Sequence, residues 1–231
     1  MNKLFVVALA LACLARTDAQ VSGSSSAAKP ATQEAPASTP PVPVTFTSDS
    51  GFTYTYPSDW EVVDAKPMLP VAQMHARDSA SSGLESQAAG CTQIGLLLRH
   101  GIPRSSIVVV VLPYSCVDNR IKASDLAGVA GGVAVGLSKG FTLTDPIYTA
   151  YKLGTVEFWA ERAKGSPKAH PEVNMTLETT CGLLKSALVC WMGFAQDEAA
   201  IRTFEGGATS IDGSPATSLI PTGAFDRKIV K

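Results

Sequence analysis

Charge of one sign is the first thing this 231-residue sequence lacks. Lys and Arg number 19 against 20 Asp and Glu, a formal net charge of −1, and no basic run occurs. That balance argues against nucleic acid and against anionic membrane surfaces as partners. Beyond the amino-terminal leader there is no apolar stretch long enough to span a bilayer. Several motifs of common chemistry are missing too: no H-E-x-x-H, no phosphate loop, no dinucleotide fingerprint. No C-x-x-C spacing suggests zinc, and no cofactor is expected. Histidine is scarce, at 3. His75 and Asp78 would share one face of a helix, but no third metal ligand is evident and a solvated face explains them. His100 and His170 sit beside Gly101 and Pro171 and read as surface residues in loops.

What is present begins with an export leader. Lys3 precedes an apolar run from Leu4 to Ala15, the pattern of a signal-peptide core, and Thr17-Asp18-Ala19 places cleavage after Ala19. A competing reading takes Ala10-Leu11-Ala12-Cys13 as a lipoprotein site with the anchor on Cys13. Either way the chain is expected outside the cytoplasm, in a bacterial periplasm or an extracellular space. Gln20 to Pro43 is a Pro/Ser/Ala-rich linker with Lys29 and Glu34 as its charges. It is too poor in apolar side chains to offset the entropy of folding, and Pro36, Pro40, Pro41 and Pro43 bias it toward extended polyproline II. One folded domain is expected over 44–212, with a loose tail over 213–231.

The domain opens on an aromatic stretch. Val44–Ser48 reads as a strand; Phe52, Tyr54 and Tyr56 then alternate with Thr53 and Thr55, which makes one aromatic strand face. Pro57-Ser58-Asp59 supplies a turn, and Trp60, Val62 and Val63 a short return strand, a tight strand–turn–strand unit. A helix is expected around Val71–Asp78. Strands follow at Cys91–Arg99 and Ser106–Leu112, with a hairpin loop between them. The runs Leu96-Leu97-Leu98 and Ile107–Leu112 are continuously apolar, so their sheet must be covered on both faces. The fold class is therefore α+β, a three-layer α/β/α sandwich around a mainly antiparallel sheet.

Ser124 is placed to cap a helix over Asp125–Lys139, with Gly140 as its stop. Leu126, Val129, Ala130, Val133 and Leu137 form its inward face. Gly128, Gly132 and Gly136 line its flank. Each costs roughly 1 kcal/mol relative to alanine, so the line implies close approach of another backbone. Its outward side, Ala127, Gly131, Val135 and Ser138, carries no charge. A covering loop or tail would explain this; the alternative is a partner surface made by Gly128, Gly132, Val135 and Gly136. Strands are then expected at Phe141–Lys152 and Thr155–Ala163, a loop over Lys164–Val173, and a hairpin of Met175–Leu184 with Ala187–Ala195. Asp197 caps a last helix that turns Ala200, Ile201 and Phe204 inward, pairs Glu198 with Arg202, and ends at Gly206-Gly207. Glu157 and Glu161 flank Trp159 on one strand face. They are weak candidates for a pocket, and an exposed polar face accounts for them.

Cleavage leaves four cysteines, which allow three pairings. Cys181 and Cys190 are equidistant from a Lys185-Ser186 turn and fall on the closer, non-hydrogen-bonded type of cross-strand pair. Cys91 and Cys116 are symmetric about a point between Pro103 and Arg104, inside the predicted loop. The expected disulfides are Cys91–Cys116 and Cys181–Cys190, favoured by export and adding ~2–4 kcal/mol each. A nucleophilic cysteine with His100 as base is the functional alternative to these structural roles.

The stretch Gly51-Phe52-Thr53-Tyr54-Thr55-Tyr56-Pro57-Ser58-Asp59-Trp60 resembles the opening "G-F-x-F-x-Y-P-x-x-W" hairpin of the PsbP/Mog-like superfamily, the PsbP- and DcrB-type exported domains. Val189-Cys190-Trp191, Asp197 and the Phe204 helix are similar to its last strand and closing helix. The resemblance covers roughly 44–212 and implies an antiparallel sheet between helical layers. It further implies binding or scaffolding of protein partners, with no shared catalytic residues to carry over. The two disulfides, the glycine-lined helix and the Pro-rich leader depart from it. The expectation is a non-enzymatic exported domain that engages an unidentified protein partner, with homodimerisation open. The alternative is a secreted small-ligand binder or enzyme with a pocket near Trp159.

Overall fold

The computed structural model describes residues 40–67, 69–78, 83–101, 104–117 and 121–226. The expected leader and cleavage site, the alternative anchor at Cys13, and the expected linker through residue 39 lie outside the described residues. Every residue of Ser105–Leu112 is buried, because the strand that holds them lies inside a sheet covered on both sides. That seven-stranded sheet runs in the order β3 (Glu61–Val62), β4 (Gln93–His100), β5 (Ser105–Pro113), β9 (Ala187–Ala195), β8 (Met175–Leu183), β7 (Val156–Pro167), β6 (Phe141–Leu153). All six pairings are antiparallel. The α+β class and the antiparallel sheet are as expected.

One face of this sheet is helical. Leu97, Val108, Val110, Leu112, Leu188 and Met192 pack against Leu126, Val129, Val133 and Leu137 of α4 (Leu126–Leu137) and Ala88 of α2 (Gly83–Cys91). α1 (Leu69–Asp78) begins two residues before the expected helix and packs beside α2. The other face differs from the expected helical layer. Its cover is a second antiparallel sheet, β1 (Pro43–Ser48), β2 (Phe52–Pro57), β10 (Ala208–Ile211), β11 (Ser214–Pro215), together with α5 (Glu198–Gly206) and the C-terminal segment. Phe52, Tyr54, Tyr56, Trp60, Phe204 and Trp191 meet in that core, with Phe52 edge-on to Trp191 at 5.3 Å.

The aromatic stretch is not a hairpin. β2 pairs with β1 and β10, whereas β3 pairs with β4 at the edge of the large sheet. The turn forms as expected, Trp60 N donating to Pro57 O at 3.1 Å, but it carries the chain from one sheet to the other. Alternation within β2 and the burial of Trp60 are the same in both arrangements, so the local pattern did not distinguish them. The hairpin here is β1–β2, closed by Asp49-Ser50-Gly51, with Gly51 at φ +92°.

Further differences have local causes. Cys91 ends α2 rather than opening a strand. α4 starts at Leu126 after a 3₁₀ turn over Ala123–Asp125, and Ser124 does not cap it; Asp125 Oδ2 instead accepts from Lys122 N at 2.8 Å. β7 runs on to Pro167, through the first part of the expected loop, because β6 and β8 pair with it on both sides. The β8–β9 hairpin has the expected register, and Asp197 caps α5 by accepting from Ala200 N at 2.7 Å. Arg202 Nη1 meets Glu198 Oε1 at 2.7 Å.

The tail over 213–226 is not loose. Asp212 (φ +50°) and Gly213 (φ +78°) form a two-residue turn that returns the chain as β11. Pro221-Thr222-Gly223-Ala224 makes a second turn, with Gly223 at φ +75° and Ala224 N donating to Pro221 O at 2.9 Å. Between and after these turns Leu219, Ile220 and Phe225 are buried in the inter-sheet core. Residues 227–231 lie outside the described residues.

Both disulfides join the expected partners. Cys181 and Cys190 are directly opposite in the β8–β9 ladder, with Cα atoms 4.1 Å apart. Cys91–Cys116, with Cα atoms 6.0 Å apart, ties α2 to the short helix α3 (Tyr114–Val117). It is not a cross-strand bond of the β4–β5 hairpin, whose ladder ends before either cysteine.

Candidate functional site

Along β7, Val156, Phe158 and Ala160 point into the inter-sheet core, and Arg162 is the next residue on that face. Directly opposite on β8 stands Glu178, and α5 brings Glu205 beside them, one residue after the buried Phe204. Arg162 Nε donates to Glu178 Oε1, and Nη2 donates to Glu205 Oε1. One guanidinium thus serves two carboxylates. The Glu178 side chain has no exposed surface, while those of Arg162 and Glu205 retain 32% and 25%.

A buried carboxylate resists ionisation unless partners hold its charge. Here burial pushes Glu178 up to about 7. Arg162 opposes the rise and the Glu205 charge adds to it. Burial also raises Glu205, against the lowering effect of Arg162 and of a hydrogen bond from Glu178. The two carboxyls lie within hydrogen-bonding reach, and Glu178 is the one that keeps the proton. Its Oε2 is buried with no hydrogen-bond donor among the described residues, so an added proton on this carboxyl completes the pair.

The C-terminal segment roofs this cluster. The Phe225 ring centroid is 4.3 Å from Arg162 Cζ, a cation–π contact. The Glu205 carbonyl accepts from Leu219 N at 2.5 Å and from Ser218 Oγ at 2.8 Å. Tyr151 OH donates to Leu219 O at 2.8 Å, and Thr149 Oγ1 donates to Ala224 O at 2.6 Å. Tyr151 also meets Thr180 Oγ1 at 2.8 Å, and burial raises its phenol. A carboxyl that titrates near neutrality has the acidity of a general acid or base. Glu178 reaches the segment through Arg162, whose guanidinium lies against the Phe225 ring.

The sequence reading did not find this cluster. The signal was available: Arg162 continues the apolar alternation of Val156, Phe158 and Ala160, where an unpaired charge would not be buried. Of the residues proposed from sequence, Glu157, Trp159 and Glu161 lie on the opposite, helical side of β7. Glu157 Oε1 meets Lys152 Nζ at 2.7 Å. Glu161 is 6% exposed, so the face they share is not the exposed polar one expected. Trp159 packs with Tyr148 at 6.4 Å, and burial and the Glu161 carboxylate raise the Tyr148 phenol.

The four proposed surface residues of α4 divide: Gly132 and Gly136 are buried, whereas Gly128 and Val135 are exposed. No backbone packs close over Gly128, since a Cβ there would meet nothing within 4 Å. His100 is half-buried, stacked on Trp60 at 5.4 Å with Asp59 Oδ2 at 3.4 Å from Nε2, and is not simply a loop residue. His170 is exposed, as expected. The side chains of His75 and Asp78 lie outside the described residues. Among the described residues, no group of three His, Cys, Asp or Glu is arranged to hold a metal ion. No helix among them is long and apolar enough to cross a membrane.

No family model matches this chain, and no curated protein matches it. Among solved structures, it is similar to the solution structure of cyanobacterial PsbP (CyanoP) from Synechocystis sp. PCC 6803. The identity is 14% and the TM-score 0.40, over 74% of this chain and 89% of that one. At those values the likeness is a distant structural relation to the PsbP fold.

Proposed function

We propose that this is a non-enzymatic exported binding domain that engages an envelope or extracellular protein partner through the outward side of α4. One observation carries the reading. Gly128 and Gly131 are interior to α4, and a Cβ at either would meet nothing within 4 Å. The fold therefore gains nothing from glycine at these positions, while each glycine weakens the helix by roughly 1 kcal/mol. Close approach of a chain from outside gives them a use. Val135, 48% exposed, stands on the same uncharged side. The two disulfides support export as the setting.

This reading separates stability from binding. Gly128→Ala and Gly131→Ala should each raise the unfolding free energy by up to about 1 kcal/mol, measured by urea titration. The Gly128→Lys/Val135→Asp double variant should keep its melting temperature yet lose partner capture by cross-linking in the native envelope. Capture equal to wild type in that variant contradicts α4 as the surface. A ligand or enzyme role near Trp159 has less support, because Glu157 is engaged by Lys152. Full binding or activity in a Glu157→Gln/Glu161→Gln variant would remove those residues from consideration.

A further inference from the structure

We propose that Arg162, Glu178 and Glu205 form a proton-operated latch that fastens the C-terminal segment, residues 214–226, across the large sheet. The segment is held by the Glu205 carbonyl, by Tyr151, by Thr149 and by the Arg162 guanidinium beneath Phe225. Two of these four belong to the charge cluster itself. Whatever moves Arg162 or the end of α5 acts on the segment directly.

The cluster has two charge states. With both carboxylates ionised it carries a net −1, and the buried Glu178 Oε2 lacks a donor. With one proton added it is neutral, Glu178 donates to Glu205, and Arg162 remains paired with both. Among the described residues, two other cations stand on the elements around the cluster, and each has a partner of its own. On β7, Lys164 is exposed and its Nζ meets Thr176 Oγ1 at 2.8 Å. On α5, Arg202 acts on Glu205 from outside while paired with Glu198. β6 contributes the neutral Tyr151, the C-terminal segment contributes Asp226, and β9 places Gly193 opposite Glu178.

The sign follows from linkage. The folded Glu178 titrates at about 7 against 4.5 in an open chain, so its protonated form belongs to the folded, latched state. The latch is fully fastened below the open-chain value and eases as pH rises through about 7. Glu205, also raised, acts in the same direction.

Hydrogen exchange of the intact protein, corrected for the intrinsic pH dependence of exchange, tests this. Protection of peptides covering 214–226 should fall about tenfold between about pH 6 and about pH 8, while β8 and β9 stay constant. Glu178→Gln, which keeps the hydrogen-bonding shape without the charge, should abolish the fall. If that variant does not fold, Glu205→Gln replaces it and should diminish the fall, since the Glu205 charge adds to the rise of Glu178. Unchanged wild-type protection across this range overturns the latch, as does an equal fall in the charge-neutral variant.

Discussion

Replacing Arg162 with methionine is expected to destabilise the protein by about 3–5 kcal/mol near pH 8, among the largest losses of any single substitution in the chain. Methionine keeps an unbranched stem under the Phe225 ring but removes the charge that opposes the rise of the fully buried Glu178, so this carboxyl either stays ionised without a counter-charge or takes up a proton at a pH that disfavours it, with Glu205 beside it. The cost of an uncompensated buried charge far exceeds the worth of an exposed ion pair such as Arg202–Glu198, which is about 0.3–0.5 kcal/mol. The loss should shrink near pH 5, where Glu178 is protonated and needs no counter-charge. Adding Glu178→Leu to Arg162→Met should recover most of the stability at pH 8, since the buried charge is then gone. Denaturant titrations at the two pH values measure all of this. A loss below about 1 kcal/mol for Arg162→Met at pH 8 would mean that the cluster holds nothing.

Gly207→Ala is expected to cost about 3 kcal/mol, although it adds one methyl group. Gly207 follows α5, and a Cβ there would fall on the ring and hydroxyl of Tyr54. Tyr54 has no room to withdraw. It is fully buried, its OH donates to Phe204 O at 2.8 Å, and the neighbouring Thr55 N donates to Gly207 O at 2.7 Å. Burial without a solvent-facing edge also raises its phenol well above the ordinary value. The adjacent Gly206 is the control, because a Cβ there meets nothing within 4 Å. Gly206→Ala should change stability by less than about 1 kcal/mol. Equal effects at the two positions, measured by thermal or urea unfolding, would contradict the wedge of Tyr54 against the α5 end.

The parts of the fold visible in the sequence were those set by local pattern. The unbroken apolar run of β5 required cover on both faces, and it has it. The Lys185-Ser186 turn and the Cys181–Cys190 pair fixed each other's register. Asp197, three residues before Ala200 and followed by an apolar face, was a complete cap signal. Cys91–Cys116 is a different lesson. The pairing was right, but its symmetry about the β4–β5 loop was not the cause. The β4–β5 ladder shifts by one residue between Ile94 and Leu96, where Gly95 lies close to Val111, and both cysteines sit on helices beyond it.

What was missed depends on contacts distant in sequence. Nothing in Gly51–Asp64 says that β2 and β3 belong to different sheets, because Tyr54 and Trp60 face the same core from either side. The C-terminal segment carried readable turns, Asp212-Gly213 and Pro221-Thr222-Gly223. Its apolar residues Leu219, Ile220 and Phe225 have neither helical nor strand period, and their partners lie on β6, β7 and α5. The charge cluster joins positions 16 and 43 residues apart, and the β7–β8 connection is too long for turn chemistry to set their register. On α4 the glycines at 128, 132 and 136 looked alike in sequence, and only burial separates the inner two from the outer one.

Whether this cluster shares a proton is decided by the unfolding free energy of the wild type and of Glu178→Gln across pH 5 to 8. A Glu178 carboxyl at about 7 in the folded state and 4.5 in the open chain makes the wild type more stable at the acid end. The difference is about 3 kcal/mol at most, most of it lost by pH 7. Glu178→Gln should lack this slope and exceed the wild type in stability at pH 8. A wild-type profile that is flat or rises toward pH 8, or a Glu178→Gln profile parallel to it, would contradict a buried carboxylate pair sharing Arg162 and a proton.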